Sequence, residues 1–363
     1  MTPDPDKHPA FVVRQPAPLN GGPPPELLAQ QLVTPNALFF LRSHGSAAPL
    51  SPGDLRLRVD GLVQRPLELT WSDLQALPRR QAAITLQCAG NRRSELLALG
   101  PIPDELVWEA DAVSTAEWTG VDLLAVLAQA GVLPGAAHIA FEARDVVEKE
   151  GQRFSFGGSI PIADAARVLL ADTMNGEALP HSHGGPLRAV VPGVIGARSV
   201  KWLARITLQD EPSHNYFQRR AYRLYPASAT PEAHDPDSAL MLHELPVSSA
   251  ICQPAHGARL PAGRLTVRGY ALTGGTRTIE RVELSANDGA HWQQANLSPA
   301  AQAGLWRLWQ AELVLPPGQH TLCVRAWDSA ACTQPERLHS VWNFKGYANN
   351  AIQRLTIIAE GAS

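Results

Sequence analysis

The stretch ITLQCAGNRRSE, residues 84–95, governs how the rest of the chain reads. An apolar run typical of a buried strand ends on a cysteine, a small-residue turn follows at once, and Arg92 and Arg93 come next. A thiolate at Cys88 would be stabilised by these two arginines and would suit a soft metal or a nucleophilic role. The segment by itself also fits a buried structural cysteine beside a surface basic pair. Three further segments bear on that choice. FFLRSHG (39–45) puts Arg42 and His44 on one side of an extended chain. LPHSHGGPLRAVVPGVIGARSVKW (179–202) sets histidines, glycines, Arg188, Arg198, Ser199 and Lys201 around an apolar strand. There, backbone N–H groups and basic side chains could hold a phosphate. NYFQRRAYRLYP (215–226) supplies tyrosines among arginines. Neither GxxxxGK[ST] nor a GxGxxG opening a helix is present, so the phosphate-binding loops of nucleotide enzymes are excluded.

Composition narrows the alternatives. Of 363 residues, 45% are hydrophobic and 18% charged, which implies a folded chain of two or three domains. The net charge of −3 gives no basic field for nucleic acid or an anionic membrane, so any anion must bind in a local basic pocket. No apolar run is long enough to span a membrane, and MTPDPDKHPA lacks the pattern of a signal peptide. The expected location is therefore cytoplasmic, or periplasmic if a leader has been trimmed. Four cysteines without a CxxC pair indicate neither a zinc ribbon nor a disulfide framework. Cys252, Cys323 and Cys332 read as ordinary buried thiols. Only four of the 31 basic residues are lysines (Lys7, Lys149, Lys201 and Lys345), so lysine is a selective choice where it occurs.

Along the chain, residues 1–35 carry nine prolines and read as an extended arm that wraps or dangles. From 36 to 235 short strands (LRLRVDGLV, AITLQCAG) alternate with helical runs at SDLQAL, GVDLLAVLAQAG and PIADAARVLLA. Thr70 or Ser72 and Thr119 are expected near helix starts, and Gly131 at a helix stop. The passage YPASATPEAHDPDS (225–238) reads as an inter-domain connection. Beyond it, 236–363 is almost wholly β, with strands at RLTVRGYAL, IERVELSAN, AELVLP, HTLCVRAWD and HSVWNF and turns at Thr273-Gly274-Gly275, Asn287-Asp288-Gly289 and Pro316-Pro317-Gly318. That pattern suits an immunoglobulin-like sandwich. The fold class is α+β: a mixed α/β domain followed by an all-β sandwich.

LQCAGNRR, TAEWTGV (115–121), HGGPLRAVVPGVIGARSVKW and VWNFKG, in that order, resemble the sulfite oxidase family of molybdenum enzymes over roughly residues 36–355. With neither haem nor flavin module recognisable, the arrangement is similar to the plant-type, molybdenum-only members. The resemblance implies a molybdopterin domain, an immunoglobulin-like dimerisation domain and a homodimer. It implies oxidation of sulfite to sulfate, with two electrons passed to an acceptor such as oxygen or a c-type cytochrome. It makes Cys88 the molybdenum ligand beside the two dithiolene sulfurs of one molybdopterin. By the same matching, Arg42, Arg93, Tyr222 and Lys345 would line a cationic substrate pocket, with Trp118 as a wall. Phe40, Arg42, His44, Asp145, His183, Arg188, Ser199, Val200 and Lys201 would hold the pterin, with Arg188, Ser199 and Lys201 nearest its phosphate. Two departures from the family pattern stand out. Ser43 replaces an asparagine, shortening a pterin contact, and Lys345 replaces an arginine, putting a point charge where a fork would orient the anion more rigidly. The rival readings are another oxyanion or S-oxide reaction on the same centre, as in nitrate reductases, and a molybdopterin-binding protein without turnover.

Overall fold

The computed structural model describes residues 6–299 and 301–361. The strand that carries ITLQ runs Arg79–Gln87 and pairs antiparallel along its whole length with Val113–Asp122. Leu169–Met174 pairs on the far side of Val113–Asp122, and Arg188–Val190 and Glu177–Ala178 pair in turn with Leu169–Met174. A second, five-stranded sheet has the order Gly157–Pro161, His138–Ala143, Leu203–Gln209, Arg56–Gly61, Leu67–Thr70. Between this sheet and the helix Leu123–Ala130 lies the main core, including Leu57, Val59, Val126, Phe141, Ile206 and Leu208. In Arg56–Gly61, Leu57 and Val59 are buried while Arg56 and Arg58 are exposed, the alternation of a strand with one covered face.

Local signals explain where several elements start and stop. Thr70 accepts from Asp73 N while the Asp73 carboxylate accepts from Thr70 N, a capping box that starts the short helix Trp71–Gln75. Gly131 ends the 123–130 helix at φ 68°. Thr119, expected near a helix start, lies inside the strand, and the helix begins beyond Asp122 without a side-chain cap. PIADAARVLLA is not a helix either. It is a 3-10 turn, Ile162–Arg167, followed by the strand Leu169–Met174. Leu169, Leu170 and Ala171 have no exposed surface because both strand faces are covered, and a continuous apolar run of that kind carries no period by which to tell strand from helix.

Much of the proline-rich N-terminal segment is folded rather than dangling. Val12–Pro16 and Leu19–Gly22 form a hairpin whose fully buried Asn20 brackets Ser43, accepting from its N–H at 2.6 Å and donating to its carbonyl at 3.0 Å. Residues 1–5 of the expected arm lie outside the described residues.

The C-terminal region is two β-sheets over a shared core. One orders Ser248–Gln253, Gly263–Leu272, Arg307–Leu315, Asn296–Leu297; the other orders Arg259–Pro261, Gln353–Glu360, Gly318–Asp328, Ile279–Ser285, Gln293–Gln294. Trp309, Ala311, Leu313 and Leu315 alternate inward along Arg307–Leu315. HSVWNF is not a strand: Leu338–Val341 is a 3-10 turn, and Gln353–Glu360 supplies the strand beside Gly318–Asp328. All four cysteines are free thiols, but Cys332 is exposed, against expectation, because it sits in the turn after Gly318–Asp328. The 225–238 passage is a loop closed by pairing of Arg223–Leu224 with Leu240–Met241. A mixed cluster containing Ala89, Ile195, Phe217, Tyr222, Tyr270, Trp306 and Tyr347 joins the two halves of the chain. No described helix is long and apolar enough to cross a membrane.

Candidate active site

Cys88 follows the buried strand end directly, and its N–H donates to Ala112 O at 2.9 Å. The chain then turns through Gly90, whose N–H points at Cys88 Sγ (3.4 Å), and through Arg92 at φ 63°. A side chain on Gly90 would meet the Arg93 guanidinium at 2.5 Å, so glycine is what lets Arg93 lie over this turn. The thiol is buried, and burial pushes its pKa up; Arg42 and Arg93 pull it down and Glu105 pushes it up further.

The two neighbouring arginines have different roles. Arg92 turns away from the sulfur, against expectation. Its fork closes on Glu95 (2.9 and 2.7 Å) and its remaining donors reach Ser249 O and Ala351 O, so it clasps the C-terminal half instead of stabilising a thiolate. Arg93 stays at the site. Its Nε donates to Lys345 O (2.9 Å), Nη1 to Leu106 O (2.7 Å), and Nη2 faces Glu105 Oε2 at 3.4 Å. Lys345 Nζ lies 3.5 Å from the other oxygen of Glu105, and the Tyr347 hydroxyl donates to that same oxygen at 3.3 Å.

A pocket opens beside Cys88. Of the sequence-predicted residues, Phe40, Arg42, His44, Cys88, Asp145, His183, Arg188, Ser199, Lys201 and Tyr222 line it. Four others do not line it: Arg93 and Lys345, expected in its wall, are held instead in the Glu105 cluster, and two more are placed differently. Trp118 is fully buried behind the pocket, with its Nε1 donating to Ile84 O and the Arg188 guanidinium over its ring, so its side chain forms no substrate wall. It lies on the strand that pairs with both Arg79–Gln87 and Leu169–Met174, and this face is core. Val200 is likewise fully buried in the main core, and its side chain contacts no pocket. Sequence reasoning missed Glu105, Tyr347, Phe156 and Trp202. Among these, only Phe156, in the aromatic–glycine run FSFGG (154–158), offered a local signal.

Hydrogen bonds fix the protonation of the two pocket histidines. Arginine has no acceptor, so Arg42 Nη2 donates to His44 Nδ1 (3.1 Å). Burial, with help from Arg42, holds the His44 pKa well below 6.5, so the neutral ring carries its proton on Nε2 and donates to Tyr222 Oη at 2.8 Å. The Tyr222 hydroxyl hydrogen is then free to face the pocket. Burial pushes the Tyr222 pKa up, so the phenol remains protonated. The Lys7 ammonium similarly approaches His183 Nε2 at 3.0 Å while donating to Asn36 O and Phe39 O. Burial again lowers the pKa of His183 strongly.

The remaining lining is cationic. Burial pulls the Lys201 pKa well down and that of Arg188 to about 9, and burial also raises the pKa of Asp145, the one carboxylate among the lining residues. Arg188 spends its donors on His183 O and Ser199 O, which fixes the 183–199 loop. Lys201 donates to Ser43 Oγ and Ser182 O, so Ser43 ties down a pocket lysine. Gly184, at φ 106°, gives Lys201 its room, since a Cβ there would meet Lys201 Cβ at 2.8 Å. A soft thiol with Arg42, Arg188 and Lys201 against a single carboxylate is a donor set suited to a soft metal carried by an anionic, phosphate-bearing group. The residues present therefore fit molybdopterin-bound molybdenum.

Comparison with known proteins agrees. Residues 44–217 match the family described as "Oxidoreductase molybdopterin binding domain" and residues 239–360 the "Mo-co oxidoreductase dimerisation domain". The chain is 42% identical to mitochondrial sulfite oxidase of Homo sapiens over 98% of its own length and 67% of that protein's, so it spans about two thirds of the human relative. It is 35% identical to sulfite oxidase of Arabidopsis thaliana over 98% of the chain and 95% of the plant protein. Among solved structures, the sulfane dehydrogenase SoxCD of Paracoccus pantotrophus superposes with a TM-score of 0.80 at 27% identity, covering 97% of this chain and 89% of that one. The chain belongs to the sulfite oxidase family of molybdopterin-binding oxidoreductases.

Proposed function

We propose that this protein oxidises sulfite to sulfate, with Cys88 as the protein ligand to molybdenum. The observation that carries the reading is the convergence of a buried cysteine, Arg42 and a tautomer-fixed His44–Tyr222 pair on one pocket, with the Arg93 guanidinium over the turn that follows the cysteine. When bound, the molybdenum–molybdopterin group supplies the oxygen atom transferred to sulfur and takes up the two electrons, which pass on to an external acceptor. The net conversion would be of sulfite and water to sulfate, two protons and two electrons. Arg42, Arg93 and Lys345 draw a small dianion into a protein of net charge −3. Arg42 holds His44, His44 donates to Tyr222, and the freed Tyr222 hydroxyl hydrogen is available to an anion oxygen. Phe40, Asp145, His183, Arg188, Ser199 and Lys201 would bind or position the pterin and its phosphate. Val200 and Trp118 would act only by packing beneath these residues. The paired C-terminal sheets would be the immunoglobulin-like module through which two copies of the chain associate.

Steady-state sulfite oxidation with alternative acceptors, oxygen and a c-type cytochrome, tests the reading on protein from a molybdopterin-competent host. Turnover that disappears in Cys88→Ser supports it. Turnover that survives the substitution overturns the ligand assignment.

A further inference from the structure

The cationic corner formed by Arg93 and Lys345 is already engaged by an anion of the chain itself. Glu105, from the loop between Leu96 and Val113, presents one carboxylate oxygen to Arg93 Nη2 at 3.4 Å and the other to Lys345 Nζ at 3.5 Å. Tyr347 adds its hydroxyl at 3.3 Å.

These contacts are long. Charge-assisted hydrogen bonds ordinarily measure about 2.7–2.9 Å, and other ion pairs of this molecule reach that range or below, with Arg14–Asp111 and Arg79–Asp172 at 2.6 Å and Arg92–Glu95 at 2.7 Å. The Glu105 side chain also keeps 13% of its surface exposed and Lys345 keeps 30%, whereas Arg93 keeps 2%. A fixed guanidinium is thus met by a carboxylate that is loosely held and can reach solvent. The Arg93 nitrogen that faces it is the one not donating to the Lys345 or Leu106 carbonyl.

We infer that Glu105 is a built-in competitor for the anion site: its carboxylate occupies Arg93 and Lys345 at rest, yields them to the entering oxyanion, and returns to expel the sulfate product. The inference rests on the functional reading above and adds a specificity-determining residue to it. A carboxylate in that position selects against tightly held dianions. It raises the KM for sulfite and weakens product inhibition, and it is paired with a lysine, whose single charge releases an anion more readily than a fork does.

The test is Glu105→Gln, which keeps the side-chain size and an acceptor for Tyr347, with Glu105→Ala as a second variant should the first fold poorly. In both, the KM for sulfite and the inhibition constant for sulfate fall together, by about three- to tenfold, the scale of removing one charge from a partly exposed ion cluster. The turnover number holds or falls, because sulfate leaves more slowly. A purely structural role would lower turnover and stability without tightening either anion. Calorimetric titration of the holoenzyme with sodium sulfate reads the same affinity without turnover. A wild-type chain that does not oxidise sulfite would therefore sink the functional reading, while sulfate affinity still judges Glu105. Unchanged or weakened sulfate binding in both variants overturns the inference.

Discussion

Arg92 and Arg93 are chemically identical neighbours, and the structure predicts that losing each one has a different consequence. Arg92 has no exposed surface; it forms a two-pronged pair with Glu95 and donates to Ser249 O and Ala351 O from the C-terminal half. Glu95 is in turn held by Asn349 and Gln353. Arg92→Ala leaves Glu95 with those two amides alone and strips two buried carbonyls of a donor. Removing one member of a buried ion pair costs about 3–5 kcal/mol. Glu95 keeps 26% of its surface exposed, which softens the electrostatic part, while the two carbonyls, of which Ala351 O retains Gln334 Nε2 at 3.2 Å, add about 1 kcal/mol. For a chain of this length the unfolding entropy is roughly 0.8 kcal/mol per kelvin. The loss is therefore a fall in Tm of about 4–6 °C by differential scanning calorimetry. The backbone at φ 63° strains alanine and arginine alike and cancels. Because Arg92 does not face the pocket, the sulfite KM of the folded variant stays within about twofold of wild type, whereas Arg93→Ala raises KM at least tenfold, the scale of losing a hydrogen-bonded charge. A Tm within 1 °C of wild type for Arg92→Ala, or a KM increase matching that of Arg93→Ala, would refute this division of roles.

Lys345→Arg should lower the sulfite KM several-fold, since a fork can hold an oxyanion bidentately where Lys345 offers a single nitrogen; an unchanged KM sinks that reading. Ser43→Ala removes the hydroxyl that accepts from Lys201 and should leave purified protein with less bound pterin, read from the fluorescence of the released and oxidised cofactor. Asp111 is buried beside Arg14, and burial raises its pKa from 3.8 to about 6. Its folded form holds a proton that the unfolded form has lost, so its contribution is complete below about pH 4 and is lost as pH rises through 6. The urea-unfolding stability of wild type minus that of Asp111→Asn should thus decrease by up to about 3 kcal/mol from pH 4 to pH 7, and an equal difference at both pH values would contradict the assignment.

What was legible in the sequence follows from which interactions are local. Cys88, the turn after it and the cluster of pocket residues from 39–44 and 183–201 could be read because their chemistry is written in contiguous motifs. Thr70 and Gly131 were readable because a cap is decided within four residues. The 161–171 run was misread because a strand covered on both faces has no period, and Leu338–Val341 because aromatic content mimics a strand where a turn packs instead. Arg92 was credited to the thiolate because nothing in NRRSE distinguishes a side chain directed at sulfur from one directed at Ser249, 157 residues away. Glu105 and Tyr347 escaped notice for the same reason: they meet across 242 residues, and only the fold brings that carboxylate to Arg93 and Lys345.

The proposed ligation of molybdenum by Cys88 underlies the other assignments. X-ray absorption at the molybdenum edge of the purified holoenzyme tests it directly. Three sulfur neighbours are expected in wild type, two from the pterin dithiolene and one from Cys88, falling to two in Cys88→Ser together with loss of sulfite oxidation. An unchanged sulfur count in Cys88→Ser, with molybdenum retained, would contradict it.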